Sequence, residues 1–139
     1  MGTTAGYSGT PLPKKLGIKE EHSVAILGAP KGFADVLGTL PTGARVAKKV
    51  GAKSMHDVIV VFVKKRSALV LAIKELRPHM EPAAGLWIAW PKKSSGVETD
   101  ITEDTIREVA LPTGLVDNKV CAIDETWSGL RLVIRRENR

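Results

Sequence analysis

The chain has 139 residues and a mass of 15.0 kDa; 43% of it is hydrophobic, 26% is charged, and the mean hydropathy is −0.02. Those proportions suit an ordinary globular domain and exclude a disordered tail, a collagen-like repeat and a membrane-embedded chain. The net charge is +6 and lopsided, with 11 basic against 4 acidic residues up to Val70 and 10 against 11 after it. Such an imbalance suits an anionic partner or plain solubility. A single cysteine, Cys121, excludes an internal disulfide and a zinc site built on thiolates. The opening MGTTAGYSGTPLPKK lacks the apolar run of a signal peptide, and no stretch of about 18 apolar residues occurs. The expectation is a reduced, cytoplasmic protein away from the membrane, monomeric or homodimeric.

Residues 1–20, rich in Gly, Thr, Pro and Lys, read as an N-terminal arm with one helical turn at Leu12–Leu16, and residues 21–139 as a single domain. Ser23–Gly28 is a short continuous apolar run ending in glycine, which suits a strand buried on both faces. Phe33, Val36, Leu37 and Leu40 then recur at helical spacing, with Pro41 and Gly43 as the stop. Ala44–Lys48 is a weak second strand. Asp57–Val63 is a strong third one, β-branched and uninterrupted. Ser67 is placed to cap a helix carrying Leu69, Ile73, Leu76 and Met80, with Pro78 ending or bending it.

Gly85–Trp90 is a fourth strand. Asp100 with Glu103 has capping-box spacing, with Thr102 as a competing cap, before a helix carrying Ile106 and Val109 and closed by Pro112 and Gly114. Val120–Ile123 and Leu130–Ile134 are the last strands, and their six-residue connection is too short for a crossover, so they pair antiparallel. The pattern predicts an α/β fold: a three-layer Rossmann-like sandwich on a mostly parallel sheet of about six strands, with an antiparallel C-terminal hairpin. The arm and the polar stretch Lys92–Thr99 are the segments expected to move.

Order and connection lengths over about residues 22–136 resemble a shortened class I S-adenosylmethionine-dependent methyltransferase fold, and Met80–Leu86 resembles that family's entry into its fifth strand. In the family, the first strand runs through an acidic residue into Gly-x-Gly-x-Gly, and glycine lets backbone approach the cofactor. Here Gly28 and Gly32 match the outer glycines, Pro30 stands at the middle one and Ile26 at the acidic position. Lys48 and Lys49 stand where the family places a carboxylate on the ribose hydroxyls, and a lysine cannot accept those hydrogen bonds. Lys64-Lys65-Arg66 stand where the amino-methylating members carry Asn/Asp-Pro-Pro-aromatic. The chain as a whole, in AGYSGTPLPKKLGI, LWIAWPKK and KVCAIDETWSGLRLVIRR, also resembles a bacterial domain-of-unknown-function family of stand-alone proteins, which implies this kind of fold and no particular activity.

In an open α/β sheet, ligands bind at the carboxyl ends of the parallel strands. Those ends carry Gly28, Pro30, Lys31 and Gly32 after strand one, Lys64 and Lys65 after strand three, Trp90, Lys92, Lys93 and Ser94 after strand four, and Asp124, Trp127 and Ser128 around the hairpin. The amides beside Pro30 and Gly32 open a helix and offer an anion seat. Together these residues suit a negatively charged, aromatic ligand. The plainer reading of each is a solvated lysine loop, a core tryptophan, or a carboxylate that closes its own turn.

Catalytic candidates are few. His22, His56 and His79 fall on separate loops or element ends without ligand spacing and read as surface residues, and Cys121 reads as a buried, inert thiol. There is no nucleophile elbow and no phosphate-binding Walker loop. The leading expectation is therefore a non-catalytic module on a degenerate methyltransferase-like fold, taking an anionic small molecule or a protein partner. The alternatives are a methyltransferase using S-adenosylmethionine through an atypical loop, and a nucleic-acid-binding protein. Against the last, only Tyr7, Phe33 and Phe62 supply aromatic rings in the basic half.

Overall fold

The computed structural model describes residues 9–139. Strands β1 (Ser23–Leu27), β2 (Arg45–Ala47), β3 (His56–Phe62), β4 (Met80–Pro91), β5 (Leu115–Ala122) and β6 (Trp127–Ile134) form one sheet in the order β2-β1-β3-β4-β6-β5. The first four are mutually parallel, and β6 runs antiparallel to both β4 and β5. Helices α1 (Leu12–Lys15) and α2 (Phe33–Leu37) contribute to the core on one face, and α3 (Arg66–Leu76) and α4 (Glu103–Ala110) to that on the other. The fold is therefore the expected three-layer α/β sandwich with its C-terminal hairpin.

The β-branched run of β3 explains its place inside the sheet. Val58, Ile59, Val60, Val61 and Phe62 are all buried, alternating between the two cores. The same alternation separates Trp87 and Trp90 in β4. Trp87 is fully buried on the α1 side and donates from Nε1 to Leu16 O at 3.0 Å, whereas Trp90 packs on the α3–α4 side. Leu12, Leu16 and Ile18 are also buried there, so the described part of the N-terminal stretch forms the roof over Trp87. Residues 1–8 of the expected arm, Tyr7 among them, lie outside the described residues.

Several local expectations give way to closer competitors. Helix α2 stops at Leu37 because Gly38 takes φ +78°, well before Pro41. Val36 is consequently 42% exposed, and Leu40 lies beyond the helix. Ser67 does not cap α3: the helix opens at Arg66, whose amide donates to Asp100 Oδ1 at 2.7 Å. Thr102, in a reciprocal pair with Thr105, caps α4 in place of Asp100. Lys92–Thr99 is held by Ser95 Oγ on Lys92 O (2.6 Å) and by Thr99 Oγ1 on Lys64 O (2.6 Å). No helix among the described residues is long and apolar enough to cross a membrane.

Candidate functional site

At the carboxyl edge, β1 runs into Gly28 and a loop that turns directly into α2. Gly28 has φ +70°, and a Cβ on it would stand 3.2 Å from the Phe62 carbonyl oxygen, so both backbone conformation and space favour glycine. Gly32 has φ +84° with open space around it and precedes the first residue of α2. The loop forms one wall of a crevice of about 600 Å³, closed by α2 and by the end of β2. Ile26, Phe33, Leu37, Leu40 and Val46 make its surface mainly apolar, and Lys31 and Lys48 bring the charge to it. Helix α2 spans only five residues, too few turns for a strong dipole, so the expected anion seat has little field behind it.

The other candidates share the edge without sharing this crevice. Trp127 is 8% exposed and belongs to the core beneath it, where Phe62 meets both Phe33 and Trp127 edge to face at 5.0 Å between ring centroids. Asp124 closes its own turn, its Oδ1 accepting the amides of Thr126 and Trp127, each at 2.8 Å. Trp90 and Lys93 line a separate depression of about 550 Å³ against the start of α4, together with Asp100 and Glu103. Ser128 stands opposite Trp90 in the β4–β6 ladder, on that same side. Ser94 is exposed, and the Lys92 amide donates to Thr126 O at 2.8 Å. The sheet thus splits the predicted residues: Gly28, Pro30, Lys31 and Gly32 line one crevice, while Trp90, Lys93 and Ser128 face away from it.

At the opposite, amino edge lies a polar cluster that sequence reasoning missed. His56 is not a surface residue but 4% exposed. Its Nδ1 is 2.8 Å from Ser23 Oγ and its Nε2 3.0 Å from Ser54 Oγ. Ser54 Oγ also meets the Gly51 amide at 2.9 Å and the Gly51 carbonyl at 3.1 Å, so each ring nitrogen of His56 faces a hydroxyl that can donate or accept. His79 reaches the same corner through Ser54 O at 2.7 Å. Burial, reinforced by the nearby His79, pulls the His56 pKa below its ordinary value against weaker opposing pulls from Asp57 and Glu81. Three histidines on separate stretches of sequence carry no signal of this; the parallel register of β1 and β3 creates it.

No family model matches the chain, and no curated protein sequence does. Solved structures do. A ribosomal protein L11 methylase from Lactobacillus delbrueckii subsp. bulgaricus superposes with a TM-score of 0.60 at 12% identity, over 90% of this chain and 76% of the other. An S-adenosylmethionine-dependent methyltransferase from Aquifex aeolicus gives 0.60 at 15% identity over 87% of each chain. Fibrillarin from Aeropyrum pernix, solved with natively bound S-adenosylmethionine, gives 0.57 at 12% identity over 89% and 69%. The fold is that of the class I S-adenosylmethionine-dependent methyltransferases. These neighbours overturn the leading expectation of a non-catalytic module for an anionic small molecule and favour the methyltransferase alternative.

Proposed function

We propose that the chain is an S-adenosylmethionine-dependent methyltransferase domain whose donor occupies the crevice between the Gly28–Gly32 loop, α2 and the end of β2. The observation that carries this reading is positional. In a fold shared with methyltransferases, an apolar crevice opens at the loop where Gly28 and Gly32 stand at the family's outer glycines. The residues present fit most of the donor. Ile26, Phe33 and Leu37 offer an apolar bed for the adenine ring, and Lys31 offers a cation for the aminoacyl carboxylate. Lys48 cannot accept from the ribose hydroxyls, so those bonds fall to backbone carbonyls or water.

When bound, the donor supplies an electrophilic methyl group on its sulfonium; the chain's own part is to hold the reactants and exclude water. Asp100 and Asp124, carboxylates at this edge, are engaged by backbone amides and are not poised as bases. The contribution the chain's residues would make to transfer is to position donor and acceptor, through proximity and orientation.

The test is a thermal-shift comparison of S-adenosylmethionine and S-adenosylhomocysteine with ATP and NADPH. Donor at 100 times its dissociation constant adds about 2.7 kcal/mol, which moves the midpoint by roughly 5–10 °C in a domain of this size. Equal shifts with ATP and NADPH, or no shift with S-adenosylmethionine and S-adenosylhomocysteine, overturn the reading.

A further inference from the structure

We propose that the methyl acceptor is a polynucleotide, gripped by its phosphates along a row of lysines that crosses the carboxyl edge of the sheet. The inference rests on the methyltransferase reading and names the acceptor class for that site. Four strands adjacent in the sheet, β2, β1, β3 and β4, all parallel, each run into lysine at the carboxyl end. Lys48 and Lys49 follow β2, Lys31 follows β1, Lys64 and Lys65 follow β3, and Lys92 and Lys93 follow β4. Lys31, Lys48, Lys49, Lys64, Lys65 and Lys93 are exposed. Arg66 and Arg107 make ion pairs with neighbouring carboxylates, whereas Lys31, Lys48, Lys49, Lys64, Lys65 and Lys93 make none among the described residues.

Length and sign both matter. Three strand spacings of about 4.8 Å make the row about 14 Å long. Along a duplex that is roughly four nucleotides of one strand at about 3.4 Å each. A small anion would need two or three of these cations; a row that crosses four loops suits a linear array of phosphates. Acids also stand at this edge: Asp100 sits within the row, its Oδ1 accepting the Arg66 amide and its own amide donating to Lys64 O, and it shares a depression with Lys93 and Glu103; Glu98 and Glu125 are exposed, and Asp124 closes its own turn. Asp35 on α2 is the acid near Lys31, and it too faces solvent. The crevice opens at the β1–β2 end of the row, so a strand lying along the lysines passes the donor.

The scarcity of free aromatic rings, which counts against stacking single-stranded bases, becomes a statement about which polynucleotide fits. Phe33, Phe62, Trp87, Trp90 and Trp127 are all buried. Among the described residues no Phe or Trp ring is exposed to serve as a base-stacking platform, so their contacts go to the backbone of a duplex or a folded RNA.

Fluorescence anisotropy with short RNA and DNA duplexes, single-stranded oligouridine and phosphatidylserine vesicles tests this. The wild-type chain is expected to bind duplexes, with log affinity falling against log salt at a slope of about −3 to −5. The triple substitution Lys64→Ala, Lys65→Ala, Lys93→Ala spares the crevice; it should flatten that slope by roughly 2–3 and lower affinity at least about tenfold at low salt. Lys19→Ala with Lys53→Ala and Lys74→Ala, away from the row, should change neither. Failure of every polynucleotide to bind at about 50 mM salt overturns the row. So does an equal loss in the distant triple, tighter binding of oligouridine than of duplexes, or equal binding to vesicles. A donor-induced thermal shift that persists in the Lys64/Lys65/Lys93 variant keeps the two readings apart. Duplex binding without any donor shift overturns methyl transfer alone, and a donor shift without duplex binding overturns the row alone.

Discussion

The two edges of the sheet are finished in opposite ways. At the amino edge, Ser23, Ser54, His56 and His79 consume one another's hydrogen-bonding capacity in a small buried cluster, and Asp57 takes the Ser23 amide at 2.8 Å. At the carboxyl edge, the loops after β1, β2 and β3 carry exposed lysines, and their turns depend on glycine conformation or on carboxylates that serve backbone amides. One edge spends its polar groups on the fold; the other leaves them to solvent or a ligand. A histidine–serine constellation draws the eye first, yet closed bonding and burial make it structural, whereas the edge without a recognisable catalytic motif keeps its groups available.

The largest expected effect comes from the rings beneath the carboxyl edge. Phe62→Ala removes the ring that bridges Phe33 and Trp127, and a buried Phe→Ala change costs about 3–5 kcal/mol. Urea denaturation should show that loss together with a reduced donor shift, since Phe33 lines the crevice. A loss below about 1 kcal/mol would mean that the loops stand without this support.

At the other edge the expected signature is a pH dependence. Because burial holds the folded His56 pKa below its ordinary value of 6.5, the unfolded chain takes up a proton that the folded chain refuses. Stability contributed by this group is complete above pH 6.5 and declines as the pH falls toward the folded value. His56→Leu should remove that acid sensitivity while costing about 1–3 kcal/mol at pH 8 for the hydroxyls it strands. Denaturation midpoints at pH 5 and pH 8 decide it: if wild type and variant lose stability in parallel on acidification, His56 is not the titrating group.

Which of these features the sequence announces depends on whether their cause is local. The β-branched run of β3 and the opposite faces of Trp87 and Trp90 follow from period-two alternation, so they are legible without coordinates. The first residues of β4 are not. Glu81 and Pro82 break the pattern, and the strand extends back to Met80 only because it pairs with His56 across a register shift. Helix α2 is misjudged because four apolar residues at helical spacing outweigh a single Gly38, while in the fold its left-handed conformation decides. The carboxyl-edge lysines were legible once strand order was, since a strand's end is a one-dimensional fact. The division of the predicted site between two faces was not, because Trp127 and Trp90 point by alternation to opposite cores from neighbouring strands.

Glycine gives a smaller and more discriminating test of the carboxyl edge. Gly28→Ala meets both a left-handed backbone and the Phe62 carbonyl at 3.2 Å, whereas Gly32→Ala meets the backbone penalty alone. The expected costs are about 1–2 kcal/mol for the left-handed conformation in each, with a further loss at Gly28 as β1 is pushed from β3. The donor shift should fall in Gly28→Ala and persist in Gly32→Ala. Equal effects would show that close strand packing at Gly28 does not shape the crevice.

The smallest effect is the sharpest. Lys48 is exposed and makes no ion pair among the described residues, so Lys48→Asp should leave the unfolding midpoint almost unchanged. Its consequence should appear in binding. A carboxylate after β2 can accept from ribose hydroxyls, and one net hydrogen bond of about 1 kcal/mol corresponds to roughly fivefold in affinity. The same change removes a cation from the row, so affinity for a duplex should fall and its salt dependence should flatten by about one contact. The two readouts are expected to move in opposite directions in one protein. Should donor affinity fall along with duplex affinity, Lys48 would be serving the donor rather than the acceptor, and the crevice would be built around a more negatively charged adenosyl compound than S-adenosylmethionine.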